Sequence, residues 1–485
     1  MTTFMYPPPD DRPWPTLGPF VCDFIESNLC YGPGDLLGHP VTLSDELRAW
    51  IFRIYEIEPP YVVTGTGRGR RRRKNPRAGR RRFQRCVLSL RKGSCKALAL
   101  DTPLPTPTGW TTIGIIRPGD WVFDEMGNPC RVLAASEVFT GNQCFAVKFR
   151  DGSEIVADAG HRWYTEELRH RPYQGSVKTT ADLAATVSLR ADGARNHRIP
   201  LTRPLRMPEV ELPIDPWVLG MWLGDGRTDD AEFTMAAADF EHFYGRIMEV
   251  EYHSGEPKID SRSGAYAVRV STAPIRKGGN PQRDTLIGRL RGLGVLNNKH
   301  VPPIYLRASV GQRLALLQGL MDSDGCIGSA GVGVSFISTI PALSDAVYEL
   351  AASLGFKPSS RYRETSLRGA KKPTKPAWMV YFHASADIPV FTLPRKVSRQ
   401  RPAPTGRTPM SARRHIVAVD EVESVPTRCI AVDSRSHLFL AGRAMTPTHN
   451  TEIAAWLAAV ELHPDGPVRC AGFDRDQPIP RPVTD

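Results

Sequence analysis

The chain has 485 residues, 41% of them hydrophobic, and a net charge of +12, enough apolar material for about three ordinary domains. Its nine cysteines are an odd number with no CxxC pair, which argues against a disulfide framework or a structural zinc site. No apolar run approaches the ~20 residues of a membrane span and the polar start carries no leader pattern, so the sequence predicts a soluble protein with no membrane partner. The positive charge favours a polyanionic partner without naming one.

In chain order, residues 1–96 contain a helical pattern over 43–57, a basic run over 68–82, and the apolar strand candidate Cys86-Val87-Leu88-Ser89-Leu90, followed by a loop ending in Lys96. The basic stretch Arg68-Gly69-Arg70-Arg71-Arg72-Arg73-Lys74 is a candidate nucleic-acid contact or localisation signal, or a solvated turn. Residues 97–205 and 412–450 read as short strands separated by turns such as Arg117-Pro118-Gly119-Asp120 and Arg150-Asp151-Gly152-Ser153. They predict one all-β domain split in two. Between them, residues 206–411 hold an internal repeat: an apolar helix ending in Asp-Gly, then strands, then another helix. Residues 451–485 open with Glu452-Ile453-Ala454-Ala455-Trp456-Leu457, whose Ala and Leu favour a helix.

The chemistry concentrates at the two ends of 97–450. His449-Asn450-Thr451 is a self-cleaving arrangement: the Asn carboxamide attacks its own carbonyl carbon, the chain breaks as a succinimide forms, and the imidazole moves protons. Upstream, the strand and the loop Arg91-Lys92-Gly93-Ser94-Cys95-Lys96 look like the first half of a phosphate-binding loop, which needs a Gly-containing turn, a Lys, and then Ser or Thr opening a helix. Removing 97–450 joins Lys96 to Thr451 and supplies that continuation. Gly93, Lys96 and Thr451 are then the nucleotide-binding residues, with ATP and Mg²⁺ as the expected ligands of the complete host protein. The joined loop resembles the variant Walker A of phage terminase large subunits, which implies an α/β P-loop ATPase host and the phage packaging machinery as its partner. It departs from the general pattern at Cys95, where a Gly is usual.

The inserted segment resembles an intein. Ala97-Leu98-Ala99-Leu100-Asp101-Thr102 matches the first splicing block, the stretch 152–161 ending in His161 matches the His-containing block, and 425–433 and 436–450 match the C-terminal blocks, in the family's order. The resemblance implies the all-β Hedgehog/intein (Hint) fold, monomeric and needing no cofactor for splicing, in the cytoplasm of a bacterial cell. Ala97 has no nucleophile, however. Inteins of the class 3 type lack the first nucleophile and carry a Trp, Cys, Thr set, which corresponds to Trp163, Cys429 and Thr448. By that resemblance Cys429 attacks the Lys96 carbonyl, Thr451 receives the acyl group, Asn450 cyclises with help from His449, and His161 polarises or protonates the Lys96–Ala97 amide. Trp163 and Thr448 shape and orient the Cys429 site. Asp158 stands where the family has a Thr, three residues before His161.

The middle segment resembles a LAGLIDADG homing endonuclease, an α+β fold of two repeats. Val218-Leu219-Gly220-Met221-Trp222-Leu223-Gly224-Asp225-Gly226 and Leu317-Gln318-Gly319-Leu320-Met321-Asp322-Ser323-Asp324-Gly325 carry the paired motif. The family packs these helices side by side, so Gly220 and Gly319 permit close approach. Asp225 and Asp324 then hold Mg²⁺ for hydrolysis of double-stranded DNA. Lys299, in Asn298-Lys299-His300-Val301-Pro302, matches a block with a functional Lys, and Arg289, Arg291, Arg307, Lys371, Lys372, Lys375, Arg395 and Arg399 supply candidate phosphate contacts. The domains expected are therefore 1–96 and 451–485 from the host, the latter apparently truncated, 97–205 and 412–450 for splicing, and 206–411 for DNA cleavage. The rival reading is an inert insertion that serves only as a scaffold.

Overall fold

The computed structural model describes residues 16–29, 40–43, 45–64, 70–80, 97–167, 175–188, 195–249, 252–260, 264–271, 285–364, 376–402 and 412–449. Gly93, Lys96, Asn450, Thr451, Lys371, Lys372, Lys375, the 86–90 strand and the helix after 451 lie outside these residues. The chain forms two compact units, 1–93 with 452–485, and 94–451. In the first, helices Gly18–Asn28 and Asp45–Ile54 meet over Cys22, Val41, Leu43 and Ile51, and Tyr61–Thr64 pairs antiparallel with Arg71–Lys74. The basic stretch is thus a strand with all four residues of 71–74 exposed.

The second unit contains an eight-stranded antiparallel sheet in the order Gly175–Thr179, Arg162–Glu167, His197–Pro200, Arg413–Val422, Cys144–Phe149, Glu154–Asp158, Leu98–Ala99, Thr427–Arg428. Strands from 412 onward are interleaved with strands from before 201. The two sequence segments therefore build one sheet, and neither can bury its apolar face without the other. Local chemistry sets the hairpins: Gly152, at φ 88°, turns Cys144–Phe149 into Glu154–Asp158, and Asp151 accepts from the Ser153 amide at 3.1 Å. Ile430–Val432 joins Pro129–Ala135, and Leu438–Ala441 pairs with Thr446–His449 in a terminal hairpin.

Residues 216–397 form two similar α/β halves. The helix Pro216–Asp225 begins at Asp215, whose carboxylate accepts from the Val218 amide at 3.0 Å, and Val310–Asp324 begins in a capping box of Ser309 and Gln312. Each is followed by antiparallel strands, Glu232–Met235 with Tyr266–Ser271 in the first half and Gly333–Ser338 with Ala377–His383 in the second. The two helices lie against each other along Gly220 and Gly319. A Cβ on Gly319 would stand 2.2 Å from the Trp217 carbonyl oxygen, and one on Gly220 would stand 2.4 Å from that of Leu316. Backbone cannot yield as a flexible side chain does, so Gly319→Ala is expected to cost about 3 kcal/mol or more. Urea unfolding checks this, and an unchanged midpoint would contradict the packing argument.

The two domains of this unit share a small core. Phe123, Leu205, Leu440 and Met445 pack with Ala352 of the helix Pro341–Ser353. Around it the Trp110 indole donates to Glu349 at 2.9 Å, and the fully buried Arg313 donates to the carbonyls of Ser353 and Leu205. The hairpin that ends at His449 is thus braced by the α/β halves.

Candidate splicing and DNA-cleavage sites

The splicing residues converge where the Leu98–Ala99 strand meets its neighbours. Leu98 is opposite Ala157 on one side and Arg428 on the other, and Ala99 is opposite Thr427. Cys429 directly follows Arg428, and Ala97 directly precedes Leu98. Both are buried, Ala97 completely. Cys429 is fixed through its backbone, its amide donating to the Ser136 hydroxyl at 3.1 Å and its carbonyl accepting from the Ser136 amide at 2.9 Å. The preceding Arg428 spends its guanidinium on the carbonyls of Ser136, Gly114 and Ile116.

Across the strand, the Asp158 amide donates to the Ala97 carbonyl at 3.0 Å, and the His161 amide donates to the Asp158 carbonyl at 3.1 Å. The His161 ring is buried, with Nε2 hydrogen-bonded to the Thr448 hydroxyl. Trp163 meets that ring edge-on, centroids 4.9 Å apart, and its indole N–H donates at 3.0 Å to Thr180, whose hydroxyl donates to the His161 carbonyl at 3.2 Å. The contacts of Trp163 and Thr448 therefore run to His161, where the sequence expectation had them orienting Cys429. His449 is buried, and its ring lies nearly parallel to that of His437, centroids 6.3 Å apart. His437 was not singled out in the sequence, and its only signal there was membership of the 436–450 stretch. Thr448→Val would leave a buried ring nitrogen without its hydroxyl, a loss of about 1–3 kcal/mol. Cleavage at Lys96–Ala97 is expected to slow roughly tenfold, as followed by product mass against time; an unchanged rate would remove Thr448 from the site.

Asp158 is 2% exposed, and no donor reaches hydrogen-bond geometry at either carboxylate oxygen among the described residues. Burial pushes its pKa up to about 7, while the amides of Ala97, His161 and Gly160 lie near enough to hold the rise back.

The second site lies at the C-terminal ends of the paired helices. Burial and the neighbouring Asp324 charge push Asp225 up to about 6, and burial also raises Asp324, with Lys299 and Lys396 opposing in both cases. Lys299 donates to the Gly224 and Gly226 carbonyls at 3.1 and 2.6 Å. Lys396 does the same for the other helix, donating to the Met321, Asp322 and Gly325 carbonyls at 2.9, 2.7 and 2.7 Å. Each Lys thus sits at a helix C-terminus, where carbonyls without helical partners favour a cation. Sequence reasoning missed Lys396, although it follows Asp324 by 72 residues as Lys299 follows Asp225 by 74. Two half-buried carboxylates, one of them opposed in its ionisation by the charge of the other, fit a divalent cation, with remaining ligands from DNA and water; among the described residues no three His, Cys, Asp or Glu gather. Of the expected phosphate contacts, Arg307 pairs with Glu349 and Arg395 with Asp239, and Arg399 donates to the Ile327 carbonyl, so these are engaged within the fold.

Comparison with known proteins bears on the host. Two of the relatives are replicative helicases. The replicative DNA helicase DnaB of Mycobacterium intracellulare is 39% identical over 390 residues, covering 77% of this chain and 61% of that protein. DnaB of Mycobacterium leprae is 45% identical over 100 residues, 21% of this chain and 15% of that protein. The chain thus spans less than two thirds of either relative. No protein-family model matches it. Among solved structures, the MchDnaB-1 intein is 19% identical and covers 73% of this chain and all of that one, with a TM-score of 0.23.

These relatives overturn the terminase host. The bacteriophage setting and the packaging machinery as partner fall with it. The loop around Lys96 misled because a Lys-Thr phosphate cradle is shared by many P-loop ATPases, so its chemistry does not distinguish one host from another. Among the described residues, no helix is long and apolar enough to cross a membrane.

Proposed function

We propose that this chain is a bacterial precursor in which residues 97–450 excise themselves and join Lys96 to Thr451, with a middle domain that cuts double-stranded DNA. The host is a DnaB-like helicase segment in the cytoplasm. The observation that carries the reading is the pairing of Leu98–Ala99 with Thr427–Arg428, immediately before Cys429, and of Leu98 with Ala157, four residues before His161.

Cys429 as thiolate attacks the Lys96 carbonyl carbon, and residues 1–96 move onto its sulfur as a thioester. The Thr451 hydroxyl then takes the acyl group as an ester. Asn450 cyclises, with His449 moving the proton, and the freed ester rearranges to a peptide bond. Thr448 and Trp163 hold the His161 ring, whose role is to polarise the Lys96–Ala97 amide.

In the cleavage domain, Asp225 and Asp324 hold the cation and Lys299 and Lys396 fix the helix ends that present them. A bound Mg²⁺ would neutralise developing charge on the phosphate and ease ionisation of the attacking water. The outward sheet face offers Arg361, Arg363, Tyr381 and His383 to the DNA, all exposed. Expression of the full chain followed by mass measurement tests the reading. A product of 1–96 joined to 451–485, together with released 97–450, supports it. Intact chain alone favours the inert scaffold and sinks it.

A further inference from the structure

We propose that Asp158 is the catalytic acid of the first step, giving its carboxyl proton to the Ala97 nitrogen as the Lys96–Ala97 bond breaks. The inference rests on the splicing reading above and names the group that releases the amine. Three features carry it. The Asp158 carboxyl is buried, and though backbone amides face it, none among the described residues reaches hydrogen-bond geometry at either oxygen. It ends the strand Glu154–Asp158, whose Ala157 is opposite Leu98, so it is level with the scissile bond, and its own amide holds the Ala97 carbonyl at 3.0 Å. The Ala97 amide, which becomes the leaving amine, is among the backbone donors facing that carboxyl.

The protein would not leave a buried carboxylate unpaired without cost, and the neutral acid is the form that such a site favours. A donor that ionises near neutral pH is also the best matched to proton transfer there, and burial places Asp158 at about 7. His161, the other candidate, has its Nε2 on Thr448. The titratable or charged groups on the packed elements are Cys144, opposite Asp158 across the strand pair; His161 on its own turn; His449 beside Thr448; and Arg428, which is spent on three carbonyls.

The step balances. Cys429, its proton already given to water, forms the C–S bond with the Lys96 carbonyl carbon. The C–N bond to Ala97 breaks, its electron pair stays on nitrogen, and the Asp158 proton completes a neutral amine. The resulting carboxylate regains a proton from water, so the net change moves one proton from thiol to amine.

The test uses the full chain, with dithiothreitol to release residues 1–96 from the thioester, across a pH series. In the unaltered protein, release is expected to fall as pH rises through about 7, because the acid is lost. Asp158→Asn is expected to slow release roughly 100-fold, to keep cleavage at Asn450 as the sign of a folded domain, and to lose that descending limb. Asp158→Glu, which keeps an acid, is expected to retain it. Release by Asp158→Asn at the original rate and with the original profile overturns the proposal. If Asp158→Asn also loses cleavage at Asn450, Asp158→Glu decides by whether its descending limb is present or absent. No thiol-released product from the unaltered chain at any pH would instead overturn the splicing reading, and this inference with it.

Discussion

Cys429→Ala is expected to abolish ligation and cleavage at Lys96–Ala97, slowing the upstream step about 10⁴-fold or more, while Asn450 still cyclises and releases 451–485. Ala97 offers no side-chain nucleophile, so the upstream bond depends on an attacking group delivered from elsewhere in the fold. Among the described residues, two buried thiols belong to segments packed around the Leu98–Ala99 strand. Cys429 directly follows Thr427–Arg428, the stretch paired with Leu98 and Ala99, whereas Cys144 lies opposite Asp158 with its sulfur directed to the Asn142 and Val425 carbonyls. Cys144→Ala is therefore the control and is expected to splice. Mass analysis of the products separates the cases: Cys429→Ala should give full-length chain and 1–450, without the joined product. Unchanged splicing in Cys429→Ala, or its loss in Cys144→Ala alone, would reassign the nucleophile.

The sequence was most legible where a physical requirement repeats along it. Gly220 and Gly319 stand at matching places before Asp-Gly, and the structure packs them so closely that a side chain on either would strike backbone. The strand-and-turn pattern on both sides of the insertion likewise predicted β structure, since alternation and turn residues are local signals. What stayed hidden was long-range. The His161–Thr448 hydrogen bond joins residues 287 apart, and nothing in either segment announces it. Lys396 shows a different limit. Its surroundings share no motif with Asn298-Lys299-His300, and only the helix end that it caps makes it the counterpart of Lys299. The cluster of Phe123, Leu440, Met445 and Ala352 is illegible for the same reason, being apolar residues of ordinary type from separate domains.

Asp225→Asn or Asp324→Asn is expected to reduce cutting of a plasmid carrying the joined Lys96–Thr451 coding site by about 10³-fold or more, while the splicing products stay unchanged. The asymmetry follows from the architecture. The carboxylates end the two motif helices, whereas the proposed splicing residues lie in and around the β strands of 97–200 and 412–449, so an isosteric amide at either Asp changes charge without altering the small core that joins the domains. Both carboxyls are raised by burial, and Asp225 also by the charge of Asp324. Below its pKa of about 6, Asp225 carries the proton that a cation must displace. The Mg²⁺ concentration needed for half-maximal cutting is therefore expected to rise as pH falls through about 6 and to level off above it. Lys299 and Lys396 pull the other way, keeping both carboxyls more acidic than burial alone would leave them. Lys396→Met is then expected to shift the same Mg²⁺ curve to higher pH, since it removes one of the two cations opposing protonation. A curve indifferent to pH, or cutting that survives Asp225→Asn, would show that the paired carboxylates do not hold the metal.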